Sequence, residues 1–170
     1  MSEPQQGIFE VAAHCLAECD PARKVAMTQA AATARRAGRL HARTATPAMP
    51  IGAPGRPLRP RLVSPRELAP RGLGTLAGRA ALLHAIAHIE FNAINLAWDA
   101  VYRFRDLPEA YYDDWVGVAD DEARHFALVC GRLAELGHAY GDFDAHDGLW
   151  EMAVQTAGSC LERMALVPRV

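Results

Sequence analysis

Residues 78–104 read GRAALLHAIAHIEFNAINLAWDAVYRF, and the spacing of their apolar side chains decides the fold class. Leu83, Ala87, Ile94, Ala97 and Val101 recur at three- and four-residue steps, the signature of one buried helical face. Glu90 occupies a position in that same row. A second stretch follows at 109–137, predicted to open with a capping box, Asp106-Leu107-Pro108-Glu109, and to stop at Gly137. Its seam runs through Trp115, Val118, Ala119, Glu122, His125 (or Phe126) and Val129. After the polar loop HAYGDFDAHDG, a third helix is expected over about Leu149 to Val167, with Leu149, Met152, Ala153, Thr156, Cys160 and Met164 along one face. Long helices joined by short loops pack as antiparallel neighbours, so residues 79–170 read as part of an all-α bundle.

The chemistry lies in two acids that occupy places where leucine belongs. Burying an ionised carboxylate without a partner costs several kcal/mol or drives the group neutral. Two carboxylates facing each other across a helix interface, Glu90 and Glu122, require a cation or a shared proton between them. His125 follows Glu122 by three residues and so lies on the same helical face one turn on. Glu-x-x-His on one helix with a glutamate on its neighbour is half of a carboxylate-bridged di-metal arrangement. Oxygen donors with an imidazole suit iron, with manganese also possible. The alternative is a Glu122 that faces solvent beside Arg124. His84 and His88, spaced i and i+4, flank the seam and read better as satisfied helix histidines than as ligands. Asp120 and Asp121 read as a solvated face, and Glu151 as a favourable charge at a helix start. No phosphate-binding glycine loop or nucleophile elbow is present.

Outward from this core, residues 1–38 read as a helical hairpin. Ile8 to Cys19 carries apolar residues at helical spacing, Asp20-Pro21 is an N-cap followed by a first-turn proline, and Gly38 ends the second helix. Residues 39–78 are rich in proline, glycine and arginine, which excludes regular helix or central strand and predicts an extended strap. Leu58, Leu62, Val63 and Leu68 are its expected apolar anchors. With 51% hydrophobic and 22% charged residues, the 170-residue chain is one ordinary globular unit and not disordered. Only 7% of it is aromatic while alanine is abundant, which favours helix. No uninterrupted apolar run reaches the roughly 18 residues needed to span a bilayer, and the N-terminus lacks a signal-peptide pattern, so no membrane association and a cytoplasmic location are expected. The four cysteines, Cys15, Cys19, Cys130 and Cys160, form neither a zinc nor a disulfide pattern.

The formal charge of −2 conceals an asymmetry. Residues 1–79 hold twelve lysine and arginine residues against five acids, and residues 80–170 hold six against fifteen. Such a division fits either a nucleic-acid-facing arm or two segments that attract each other, and pairing within the fold is the simpler account. The strap arginines lack interleaved aromatics, so stacking on single-stranded nucleic acid is poorly supported.

The stretches at 78–104, 111–143 and 148–170, with the proline-rich lead-in PGRPLRPRLVSPRELAPRGLGTLAGRAALLHA, together resemble an uncharacterised bacterial ferritin-like family, a domain of unknown function. More distantly, His88-Ile89-Glu90 and Glu122-Ala123-Arg124-His125-Phe126 are similar to the first two motifs of tRNA isopentenyladenosine hydroxylases, which are di-iron monooxygenases. That resemblance implies Glu90 as a first-helix ligand, Glu122 as a bridging carboxylate and His125 as an imidazole ligand. It also implies oxygen-dependent oxidation or hydroxylation of an unknown small molecule or of tRNA.

The same resemblance implies further ligands beyond Val170, on a continued third helix and on a fourth. The bundle carried by these 170 residues is therefore expected to be C-terminally truncated, lacking its fourth helix, with three of six di-iron ligands present. An apolar groove left open is expected to favour a homodimer or a partner helix. The competing expectation is a non-catalytic helical protein that binds metal weakly or completes its bundle by dimerisation.

Overall fold

The computed structural model describes residues 6–42, 46–69 and 72–167. It is an all-α protein, with six α-helices among the described residues. The helices are α1 (Ile8–Ala17), α2 (Pro21–Arg36), α3 (Leu76–Arg103), α4 (Glu109–Glu135), α5 (Gly148–Gln155) and α6 (Cys160–Leu166). Among the described residues, strand pairing is confined to Gln6–Gly7 (β1) running parallel to Leu40–His41 (β2), which ties the ends of the α1–α2 hairpin together, and to an isolated bridge between Leu62 and Ala145.

The spine is the α3–α4 hairpin. Thr75 caps α3 by accepting the Gly78 amide at 3.0 Å, and residues 90–101 are buried without interruption. The α1 helix lies along α3 and α2 along α4, so one core runs from Ile8, Ala12 and Leu16 to Ile94, Trp98, Val101, Val116 and Phe126. The N-terminal hairpin has the predicted signals. Asp20 accepts the Arg23 amide at 2.8 Å, Pro21 occupies the first turn, and Gly38 takes the left-handed φ of 68° that a helix-ending glycine permits. By length and mean hydropathy α3 passes as a membrane-crossing helix, although no uninterrupted apolar run does, but 67% of its qualifying window is buried inside the protein. It is therefore placed as the core helix.

Three local expectations need correction. The capping box at 106–109 does not form. Asp106 instead adopts a positive φ of 60° to turn the chain, and Pro108 precedes the helix with no side-chain cap. The third helix is broken at 156–159, because Gly158 weakens the helix and Ser159 starts a new one by accepting the Glu162 amide at 3.2 Å. The strap is extended as expected, with one short 3₁₀ turn at Pro65–Glu67, but its leucines are not its anchors. Leu58 is fully exposed and Leu62 39% exposed, Val63 and Leu68 are half-buried, and Pro54 and Pro60 are buried. Backbone bonds replace the leucines, with the Gly55 amide donating to Leu16 O at 2.6 Å and the Val63 amide to Ala145 O at 2.8 Å.

The charge asymmetry closes within the fold. Arg35 meets Glu109 and Asp113 at 2.6 Å each, Arg36 meets Asp120 at 2.8 Å, Arg61 meets Asp144 at 2.6 Å, and Arg56 pairs with Asp147. The deepest pair is Arg163 with Asp99, both almost wholly buried, at 2.8 Å. Arg163 also donates to Thr156 Oγ1 and Ala153 O, each at 2.6 Å, and Arg103 meets the other oxygen of Asp99 at 2.6 Å. This cluster fastens α5 and α6 to α3.

Removing one member of a buried ion cluster strands its partners, which destabilises by about 3–5 kcal/mol. Asp99→Ala is therefore expected to lower the urea midpoint sharply, whereas Arg61→Ala, at an exposed pair, leaves it nearly unchanged.

Candidate metal centre

Glu90 projects from the middle of α3 and Glu122 from the facing turn of α4, both into the interface between the helices. Their side chains are 11% and 3% exposed, so neither is hydrated as a surface carboxylate would be. His125, one turn beyond Glu122, is 44% exposed and forms the outer side of the group. Its Nδ1 lies 3.4 Å from Glu122 Oε2 and 3.8 Å from Glu90 Oε2. One donor atom from each of the three residues falls within 4.8 Å of the other two.

The solvent-facing alternative for Glu122 fails, since Arg124 pairs with Asp121 instead. Among the described residues, no lysine or arginine forms an ion pair with Glu90 or Glu122. Glu90 Oε2 is buried with no hydrogen-bond partner, although a lone buried acceptor loses its full hydration. Burial and the neighbouring Glu90 carboxylate push the Glu122 carboxyl up to about 8. Such a group could hold a cation. Two hard oxygen donors and one imidazole can hold a metal ion, with the half-exposed His125 side as the way in.

His84 and His88 are not part of the group. Both are buried and hold the 138–148 loop over α3. His84 Nε2 accepts the Gly141 amide at 2.9 Å. Burial pushes His88 down to about 4, so it is neutral near pH 7. With Nε2 donating to His146 O at 3.1 Å, its Nδ1 accepts from the Tyr140 hydroxyl at 2.9 Å. Tyr140 closes an aromatic wall with Phe91 and Phe126 beside the acidic pair. Asp120 and Asp121 pair with Arg36 and Arg124 at the surface, and Glu151 is exposed at the start of α5.

Sequence reasoning missed a cavity of about 690 Å³ bounded by α3, α4 and α6, with Glu122 among its lining residues. It depends on where the broken third helix lands, which the periodicity of residues 149–167 does not reveal. The Asp99–Arg163 cluster was also missed, though an aspartate inside the apolar run at 93–101 was a visible signal.

Fold and site together define an all-helical protein with a buried Glu–Glu–His group able to hold a metal ion. By comparison with known families, the chain belongs to the family described as "Protein of unknown function (DUF455)", whose family model matches residues 17–170. It is similar to an uncharacterised protein of Haemophilus influenzae, with 54% identity over 121 residues. That match takes in 67% of this chain and 42% of the relative, so this chain corresponds to less than half of that protein's length. No solved structure matches.

The raised Glu122 carboxyl has a pH signature. Between the ordinary value of 4.5 and about 8, the unfolded chain has lost this proton while the folded, metal-free chain retains it. Its contribution to stability therefore declines as pH rises through that window and is level above it. Thermal melts of the metal-free protein from pH 4.5 to 8.5 are expected to show this decline relative to Glu122→Gln, which carries no proton to lose. Parallel curves for the two proteins would show that Glu122 ionises normally.

Proposed function

We propose that the chain is the ferritin-like, metal-carrying part of a carboxylate-bridged di-iron oxidoreductase of the oxygenase or hydroxylase type, residues 79–170 forming the bundle that bears the site. The observation that carries this reading is the pairing of two buried, otherwise unpaired carboxylates from neighbouring helices with an imidazole one turn away. Manganese fits the same donors, but oxygen chemistry favours iron. Iron held there supplies activation of dioxygen.

In this reading Glu90 and Glu122 would provide the anionic donors. Glu122 must release its proton to ligate, so metal uptake releases protons and strengthens as pH rises. His125 supplies the neutral nitrogen donor from the open side. The aromatic wall of Phe91, Phe126 and Tyr140 keeps one flank dry, which strengthens electrostatic interactions inside. A second ion would need donors beyond these three, from outside the described residues. The runner-up reading, a non-catalytic helical protein with one weakly held metal, follows from the same three ligands acting alone.

The test is metal analysis by mass spectrometry after anaerobic loading with Fe(II) or Mn(II), with oligomeric mass taken on the same sample. The expected result is stoichiometric metal, with affinity lowered at least about 10–100-fold in Glu90→Gln, Glu122→Ala and His125→Ala. About two irons per chain or per self-completed dimer supports the oxygenase reading. Substoichiometric metal that is indifferent to Glu122→Ala contradicts metal binding at this group.

A further inference from the structure

The cavity of about 690 Å³ beside Glu122 is lined by neither Glu90 nor His125, so it extends away from the three-residue group. Its volume is in the range of sites that enclose a small organic molecule. The walls are apolar and aromatic, with Leu96 from α3, Trp115 and Val118 from α4, and Met164 from α6. Trp115 is only partly buried and is among the residues that line the space.

The lining carries several acids. Asp113, Asp114 and Asp121 line the cavity together with Glu122. Asp113 is engaged by Arg35 and Asp121 by Arg124, whereas Asp114 is exposed and makes no ion pair or side-chain hydrogen bond among the described residues. Arg163 is the one basic side chain in the lining, and it is 1% exposed and committed to Asp99, Thr156 and Ala153. A bound molecule therefore meets flat apolar surface inside and, at the edge, the uncompensated charge of Asp114. This combination favours an organic cation and repels an organic anion.

We propose that this cavity is a binding site for a small organic amine with a flat apolar body, its ring against Trp115, its ammonium near Asp114 and its inner end towards Glu122. That the inner end is the reacting end rests on the metal reading above; the binding itself does not.

Three probes sharing one ring system test the proposal on the full chain: 1-naphthylmethylamine, 1-naphthalenemethanol and 1-naphthoate, titrated by calorimetry and by tryptophan fluorescence. The amine is expected to bind saturably and to quench Trp115, an effect lost in Trp115→Phe. Naphthoate is expected to bind at least about tenfold more weakly, and Asp114→Asn to shrink that difference. Gly117 lines the cavity on α4, and a Cβ there would meet nothing within 4 Å. Gly117→Leu therefore puts a larger side chain against the space and improves helix propensity, and it is expected to abolish amine binding while circular dichroism stays unchanged.

Equal affinity for amine and naphthoate, no saturable binding, or binding indifferent to Gly117→Leu overturns the proposal. The titrations are run with and without Fe(II). Amine binding to a chain that takes up no stoichiometric metal upholds the cavity and overturns the metal reading. Stoichiometric, Glu122-dependent metal without amine binding overturns the cavity alone.

Discussion

Glu90 and Glu122 meet buried in the α3–α4 interface, and the rest of the structure has to accommodate that. Two ionised carboxylates cannot share such a space without a cation, and the metal-free chain holds a proton on Glu122 well above the ordinary carboxylate range. Apolar residues at the two positions would pack more easily. The arrangement makes physical sense as a site kept ready for a positive ion, with the half-exposed His125 as both third donor and entrance.

The surrounding elements hold the two helices in the register that brings the acids together. The α1–α2 hairpin clasps α3 and α4 from one side. Its Lys24, the sole lysine of the chain, is wholly buried and donates to Asn95 on α3, to Leu16 O at 3.4 Å and to Gly55 O at 3.1 Å, joining hairpin, strap and spine at one point. Burial lowers that ammonium to about 8. His84 and His88 pin the 138–148 loop on a second side, and the Asp99–Arg163 pair draws α5 and α6 in on a third. Where α6 leaves space beside α4, the cavity opens onto Glu122. One set of packing constraints thus positions both the acidic pair and the apolar chamber next to it.

Much of this was legible in the chain itself. The three- and four-residue steps of α3 and α4 gave the spine, and because helical spacing is rigid they also put Glu90, Glu122 and His125 on facing surfaces. Asp20-Pro21 and Gly38 bounded α2 for local reasons that tertiary structure did not override. Other features depended on contacts distant in sequence. Asp106 was available as a cap but was needed to turn the chain, and the break at 156–159 serves Arg163, whose partner lies 64 residues away. In the strap, proline rings and backbone carbonyls proved better anchors than leucines, because an extended segment secures itself through main-chain bonds to what it crosses. Family membership and the Haemophilus influenzae relative add kinship without adding a reaction, so the functional reading rests on the site.

Anomalous diffraction from crystals of the chain loaded with iron or manganese is the most direct test of the central claim. The account predicts a peak between α3 and α4, within bonding distance of carboxylate oxygens from Glu90 and Glu122 and of a His125 ring nitrogen. A loaded crystal with no peak there, or with metal held only at residues elsewhere, would contradict it.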